Sequence, residues 1–234
     1  MRAHDIFIHF PRLYAWLCSW RRSPNFEKIL YLRKIKKNHV VFDIGANVGV
    51  HSKFFARLTG KDGFVHCFEP VPETFQMLED SLVKSENVKL NNLAAGDSET
   101  MMEISYDPDD SEKATLLGQS TPISSMRMVK VLPLDNYARE VKLQRLDFLK
   151  CDVEGFELNV LIGLKETLAI HHPEISVEIT LPQEQTLELV NLLESLGYDS
   201  FRKIEKGFPQ YAPHDDILQE GDYFYLHATS SLVT

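Results

Sequence analysis

One run restricts the fold more than any other: Val40-Val41-Phe42-Asp43-Ile44-Gly45-Ala46-Asn47-Val48-Gly49, read together with Phe68-Glu69-Pro70. A short apolar stretch bearing one carboxylate passes through two glycines four positions apart and opens into Val50 to Leu58, whose apolar residues recur at helical spacing. The pattern is strand, tight turn, helix. A side chain at either glycine would hold a ligand away from the backbone, and a turn this sharp favours positive φ, which glycine adopts at little cost.

The same rhythm continues along the chain. Phe64 to Glu69 predicts a second strand, set off by Gly60-Lys61-Asp62-Gly63. Pro72 opens a helix through Lys84 with Phe75, Leu78 and Leu82 on one face, and Val88 to Asn91 predicts a third strand. Leu146 to Cys151 is a fourth, followed by a helix from Glu157 to about Ala169, a strand at Ile175 to Ile179, and a helix begun by Pro182 and ended by Gly197. Tyr198 to Ile204 and Tyr223 to His227 form a closing strand pair around a polar loop, 205–222. Such alternation implies an α/β, Rossmann-like fold built on a mostly parallel sheet with right-handed crossovers. Between Asp97 and Leu134 the rhythm breaks: Met101 to Tyr106 and Arg127 to Leu132 alternate as two antiparallel strands around a polar loop, 107–125. Its Ser120, Thr121, Ser124 and Ser125 are either substrate contacts or a solvated connection.

Charge divides the chain. Of its 234 residues, 1–39 carry nine Lys or Arg against two Asp or Glu, and the remaining 195 carry sixteen against thirty-two. An acidic body with a formal net charge of −9 argues against nucleic acid as a partner, because phosphate neutralisation needs clustered cations. The first 38 residues read as a basic, aromatic-rich helical extension and 39–234 as one domain. Within the extension, His9, Pro11 and Arg12 interrupt any apolar run long enough to span a bilayer, and no secretion-signal pattern is present. A helix is expected after Pro11 and a second from Ser23-Pro24 through Lys37. These helices are expected to lie on the body, to form a lip over the site, or to make peripheral membrane contact through Trp16, Trp20 and the basic cluster. Cys18, Cys67 and Cys151, odd in number and far apart, read as reduced thiols of a cytoplasmic protein.

In an open sheet of this kind ligands sit beyond the carboxyl ends of the strands. Asp43, Glu69 and Asp152 stand at three such ends, giving an acidic mouth that repels a pyrophosphate and suits a cation rich in hydroxyls. S-adenosyl-L-methionine has that character. Glu69 can accept from both ribose hydroxyls, Gly45 and Gly49 permit close approach of the methionine end, and Asp43 can attract its amino group. A nicotinamide dinucleotide would instead call for Gly-x-Gly-x-x-Gly after the first strand, and position 47 is Asn.

Five motifs then resemble, in order and spacing, the FkbM-like family of methyltransferases: Asp43 to Gly49, Phe68-Glu69-Pro70, Asn92-Leu93-Ala94-Ala95-Gly96-Asp97, Leu134-Asp135, and Leu149-Lys150-Cys151-Asp152-Val153-Glu154-Gly155-Phe156-Glu157. The resemblance covers about residues 38–228. It implies the class I methyltransferase fold, a seven-stranded sheet with an antiparallel last hairpin, and S-adenosylmethionine-dependent O-methylation of a sugar, glycan or natural-product hydroxyl. Cofactor-binding positions expected from motif and family are Asp43, Gly45, Ala46, Asn47, Gly49, Glu69, Pro70, Asn92, Ala94 and Asp152. Cys151 and His51 depart from the residues usual in the family.

Methyl transfer to an alcohol needs alignment and a proton acceptor. Asp152 is the first candidate to orient or deprotonate the acceptor, with Glu154 and Glu157 following it in the turn. Glu178, within a strand, needs a partner or an open pocket and is a candidate for a supporting or substrate-binding role. His214-Asp215-Asp216 lacks the further ligands of a metal site and no metal is expected, although Asp152 with nearby acids could hold Mg²⁺ through oxygen ligands. A catalytically idle module that kept the cofactor pocket is the alternative reading.

Overall fold

The computed structural model describes residues 26–107, 110–115, 125–204, 210–211 and 221–227. Its main sheet runs β3 (Val88–Asn91), β2 (Phe64–Phe68), β1 (Val40–Ile44), β8 (Phe148–Cys151), β9 (Glu174–Ile179), β12 (Gly221–His227), β10 (Tyr198–Lys203) and β11 (Gln210–Tyr211). Strands β1, β2, β3, β8 and β9 are mutually parallel, whereas β12 runs antiparallel to both β9 and β10. The expected seven strands and reversed closing pair are therefore present, with the two-residue β11 added at one edge.

Both faces of this sheet are covered, which is why its strands read as near-continuous apolar runs. On one face, α1 (Phe26–Lys34), α2 (Val50–Thr59) and α3 (Pro72–Leu82) bury Leu30, Tyr31, Phe55, Leu58 and Leu78 against Val41, Val65, Phe148 and Phe224. On the other, α5 (Glu157–Ile162), α6 (Lys165–His171) and α7 (Gln183–Ser195) bury Leu161, Leu168, Leu189 and Leu193 against Phe42, Leu149, Ile175 and Val177. A side chain sealed as fully as Phe42 contributes about 1.5–3 kcal/mol relative to exposure. Of the N-terminal extension only its last part lies within the described residues; there α1 shares the core of the body, and Tyr31 is fully buried. Trp16, Trp20 and Cys18 lie outside those residues, as do Ser120, Thr121, Ser124 and His214 to Asp216. Cys67 and Cys151 are free, buried thiols. No helix among the described residues is long and apolar enough to cross a membrane.

Between β3 and β8 the chain builds a second, four-stranded sheet of order β4 (Ala94–Ala95), β7 (Ser125–Leu132), β5 (Thr100–Asp107) and β6 (Asp110–Thr115). The antiparallel β5/β7 pair is the predicted excursion. Strand β6 corrects it: 110–115, read as loop, adds to the free edge of β5. Edge strands tolerate polar residues, so the composition concealed the pairing. The helix expected from Glu157 to Ala169 is two helices broken at Gly163. Asp135 explains the second, accepting hydrogen bonds from the backbone N–H of Glu166 (2.9 Å) and Thr167 (2.8 Å) and from the Thr167 hydroxyl (2.6 Å), at the start of α6. The Leu134-Asp135 motif thus caps a helix, and Leu134 itself opens the unpredicted α4 (Leu134–Glu140).

Candidate active site

A cavity of about 500 Å³ opens at the carboxyl ends of β1, β2, β8 and β9, within the size range of small-molecule sites. Gly45 to Val48 form its floor, Phe68 to Pro70 and Leu93 to Ala95 one wall, and Asp152 to Glu154, Phe156 and Glu178 the other. Ile104 of the excursion sheet and Glu27 and Lys28 of α1 complete it.

Of the sequence candidates, Gly45, Ala46, Asn47, Glu69, Pro70, Ala94, Asp152 and Glu154 line this space. Glu69 is only 5% exposed. One carboxylate oxygen accepts from the Asn47 N–H (3.0 Å) and the other from the Val71 N–H (2.9 Å), joining the turn after β1 to the turn after β2. Each oxygen keeps a lone pair for a ligand hydroxyl. Burial pushes Glu69 up to about 7, against the pull of those two N–H groups. A cationic ligand beside it would favour the charged form.

Four candidates do not line the cavity, for physical reasons visible in the structure. Side chains alternate along β1, so Asp43 turns toward α2, where it accepts a 2.6 Å hydrogen bond from Ser52 and is fully buried. Burial raises it to about 6, opposed by nearby Lys150. Gly49 adopts φ 84° at the start of α2, and a Cβ there would meet Ser81 Oγ at 2.6 Å and Leu78 at 2.7 Å, so helix packing requires a glycine at this position. Gly45 is required on both counts, because it borders the cavity at φ +76° while a Cβ would fall 1.7 Å from the Asp152 carbonyl oxygen. Asn92 donates its amide to the carbonyls of Glu69 (2.9 Å) and Pro70 (3.0 Å), fixing the loop from behind. Glu157 is fully buried, accepting from the Gly155 N–H at 2.9 Å, and burial raises it to about 7. It braces a turn in which Glu154 (φ 50°) and Gly155 (φ 95°) are both left-handed.

Sequence reasoning assigned no role to Lys150, Glu27 or Lys28. Lys150 is 3% exposed and borders the cavity, donating to Asp152 at 2.7 Å. Burial disfavours its charge, yet Asp152 and Asp43 hold it ionised and its pKa above the usual lysine range. A lysine inside the apolar run 146–151 was the available signal. Burial also works against charge on Asp152, but the Lys150 ammonium outweighs it and keeps Asp152 below the usual carboxylate range. Asp152, Glu154 and Glu178 bring carboxylate oxygens within 4.8 Å of one another. Charge in this cluster is balanced by Lys150 and, at Glu178, by a proton: burial and neighbouring Asp152 raise Glu178 to about 8. His51, also on the wall, is lowered to about 4 by burial and Lys150 and is neutral near pH 7.

Five carboxylates and two lysines line the cavity. Such a donor set repels phosphate and fits a sulfonium with vicinal hydroxyls, the character of S-adenosylmethionine. The sheet order, the reversed strand inserted before β10 and a cavity at the strand ends define the class I methyltransferase fold, whose cofactor is S-adenosylmethionine. Two solved structures share the fold. The crystal structure of the methyltransferase FkbM from Methylobacillus flagellatus is 15% identical with a TM-score of 0.55, over 91% of this chain and 58% of that one. Fibrillarin from Aeropyrum pernix, with natively bound S-adenosyl-L-methionine, is 12% identical with a TM-score of 0.51, over 92% and 74%. A family model described as the methyltransferase FkbM domain matches residues 43–200, and the chain belongs to that family.

Three curated relatives carry names that specify an activity. The hexuronic acid methyltransferase AglP of Haloferax volcanii is 27% identical over 144 residues, 59% of this chain and 55% of that protein. The 2-O-methyltransferase NoeI of Sinorhizobium fredii is 27% identical over 151 residues, 57% and 60%. The 31-O-demethyl-FK506 methyltransferase FkbM of Streptomyces tacrolimicus is 26% identical over 204 residues, 72% and 76%. The match thus spans little more than half the length of AglP.

Proposed function

We propose that this chain is an S-adenosylmethionine-dependent O-methyltransferase acting in the cytoplasm on a hydroxyl of a sugar, glycan or small natural product, without nucleic acid as a partner. The observation that carries the reading is the cavity's two-ended chemistry. At one end Glu69 presents two oxygens above a backbone floor that Gly45 keeps free of side chains. At the other, Asp152 and Glu154 of the turn after β8 and Glu178 of β9 bring carboxylate oxygens together, and Asp152 accepts from the buried Lys150 ammonium. The names of AglP, NoeI and FkbM, two of which specify an O-methyl position, support a hydroxyl acceptor.

When bound, the cofactor supplies an electrophilic methyl group whose transfer discharges a sulfonium. Glu69 and the floor would hold its ribose and methionine ends. Asp152, kept ionised by Lys150, accepts a hydrogen bond from the acceptor hydroxyl and fixes its direction. Alignment of this kind contributes several kcal/mol, on the order of 7 or more in the best cases. We further propose that the N-terminal extension, 1–38, makes peripheral membrane contact through Trp16, Trp20 and the basic cluster.

Calorimetric titration with S-adenosylmethionine, followed by transfer of labelled methyl to a panel of alkyl hexosides, oligosaccharides and hydroxylated small molecules, tests the reading. Binding and turnover on at least one hydroxyl acceptor are expected. Binding with no turnover on any would point to an idle cofactor-binding module instead. Asp152→Asn should leave cofactor affinity within about 3-fold and lower the transfer rate by about 10²-fold or more; transfer at the parental rate would remove Asp152 from the acceptor site.

A further inference from the structure

Three adjacent strands place carboxylates side by side at the acceptor end of the cavity. The register pairs Cys151 with Val177 across β8 and β9, which brings Asp152 next to Glu178, and pairs Glu178 with Asp222 across β9 and β12. Glu178 is the middle member and borders the cavity. Asp152 is held by the Lys150 ammonium at 2.7 Å and Asp222 is drawn down by the same lysine, whereas no cation is among the groups acting on Glu178. Like charges directly opposite on neighbouring strands repel, so the member without a cation is the one that keeps a proton.

We propose that Glu178, held between Asp152 and Asp222 on the cavity wall, takes the hydroxyl proton of the methyl acceptor, while Asp152, clamped by Lys150, is the positioning residue beside it. This rests on the methyltransferase reading above. In the step, the acceptor O–H bond breaks and its proton passes to a Glu178 oxygen. The freed lone pair forms the O–C bond to the methyl group as the S–C electron pair returns to sulfur. The division of labour follows from proton affinity. Asp152 is made a weak base by the ammonium that holds it, whereas Glu178, crowded by acids, binds a proton more strongly than an ordinary carboxylate. General bases work best when their pKa lies near the working pH.

The groups facing Glu178 set its behaviour. Asp152 and Glu154 from the turn after β8 and Asp222 from β12 all oppose its ionisation. Lys150 spends its charge on Asp152 and Asp43; from the helices above, α1 brings Glu27 and Lys28 and α2 a neutral His51 to the same cavity. Transfer should therefore rise with pH through the slightly alkaline range as Glu178 loses its proton.

Two readouts test this on the intact chain. Infrared difference spectra of the cofactor-free protein across pH 6–10 should show, beyond the protonated-carboxyl signal of Glu69 and Glu157 that is lost near pH 7, a component that fades around pH 8 and is missing in Glu178→Gln. On an acceptor from the panel above, Glu178→Gln should transfer about 10²-fold or more slowly with a flat pH profile. Its S-adenosylmethionine affinity by titration should stay within about 3-fold of the parent, and Glu178→Asp, which keeps a carboxyl, should recover part of the rate and of the pH dependence. A Glu178→Gln protein that folds and transfers at the parental rate with the parental profile overturns the proposal. So does loss of the parent's activity in EDTA with recovery in Mg²⁺, which would mean that the cluster holds a metal in place of the proton. A parent that methylates nothing sinks the function proposed above, whereas an active parent with an unimpaired Glu178→Gln sinks this inference alone.

Discussion

Glu69 shows how one side chain serves fold and ligand together. Its carboxylate closes two turns through the N–H groups of Asn47 and Val71 while facing the cavity. Replacing it by Gln removes the charge and sets an amide N–H₂ against one of those donors. Hydrogen bonds to a charged group contribute about 1.5–3 kcal/mol, so Glu69→Gln should weaken S-adenosylmethionine binding by about 10- to 100-fold by calorimetry and lower the melting temperature of the cofactor-free protein as well. Unchanged affinity would separate Glu69 from the ribose end. At this scale the sequence was legible where a motif residue ends a strand and projects forward, as Glu69 and Asp152 do. It misled where burial on both faces hides the direction of a side chain. Asp43 turned toward Ser52, and Glu157 folded back onto the Gly155 N–H. Lys150 was hidden for a related reason: a lysine in a strand ordinarily marks a solvent face, and only the approach of Asp43 and Asp152 makes a fully buried one tolerable.

Among the elements, α1 carries a contribution to the cavity that no local pattern announces. Its inner face belongs to the body's core, and Lys34 pairs with Glu174 of β9 at 2.9 Å. Tyr31 donates to Glu27 at 2.9 Å and lies 3.4 Å from Ser176 of β9, so one hydroxyl orients a cavity residue and tethers the helix. Tyr31→Phe keeps the ring and removes that link. The expected result is a loss of about 1 kcal/mol in denaturant titration with an unchanged m-value, together with a raised KM for the acceptor and unchanged cofactor affinity; no change in KM would place Glu27 outside the acceptor's reach. Helix and strand periodicity recovered the alternating βα units, because each buries a face whose spacing is written locally. Strand β6, the break at Gly163 and the seating of α1 depend on partners distant in sequence, and local spacing is silent on those.

For the molecule as a whole, the acids that build the site tax its stability in a defined pH window. Burial raises Glu69 and Glu157 to about 7 and Glu178 to about 8. Each binds its proton more tightly when folded than unfolded, so its stabilising share is complete at low pH and is lost as pH climbs through the folded value. His51 and His66, lowered to about 4 by burial, and His39, His171 and His227, lowered for the same reason, act oppositely up through the ordinary histidine range near pH 6.5. Between about pH 7 and 8 the histidines are mostly neutral in both states and the acids dominate the sign. The melting temperature of the cofactor-free protein should therefore fall across that interval, and Glu157→Gln, remote from the cavity wall, should flatten the fall; a rising curve would contradict the burial assigned to these groups.

The placement of β12 carries a consequence for how the protein is made. This strand lies inside the sheet, bonded to β9 on one side and β10 on the other, although it is the last strand described along the chain. A nascent polypeptide that has not yet released residues 221–227 from the ribosome holds two open strand borders and lacks Asp222 and Phe224. Such borders invite pairing with other chains. The ribosome must pass these residues before the gap between β9 and β10 can shut, and until then both borders stay open to other chains.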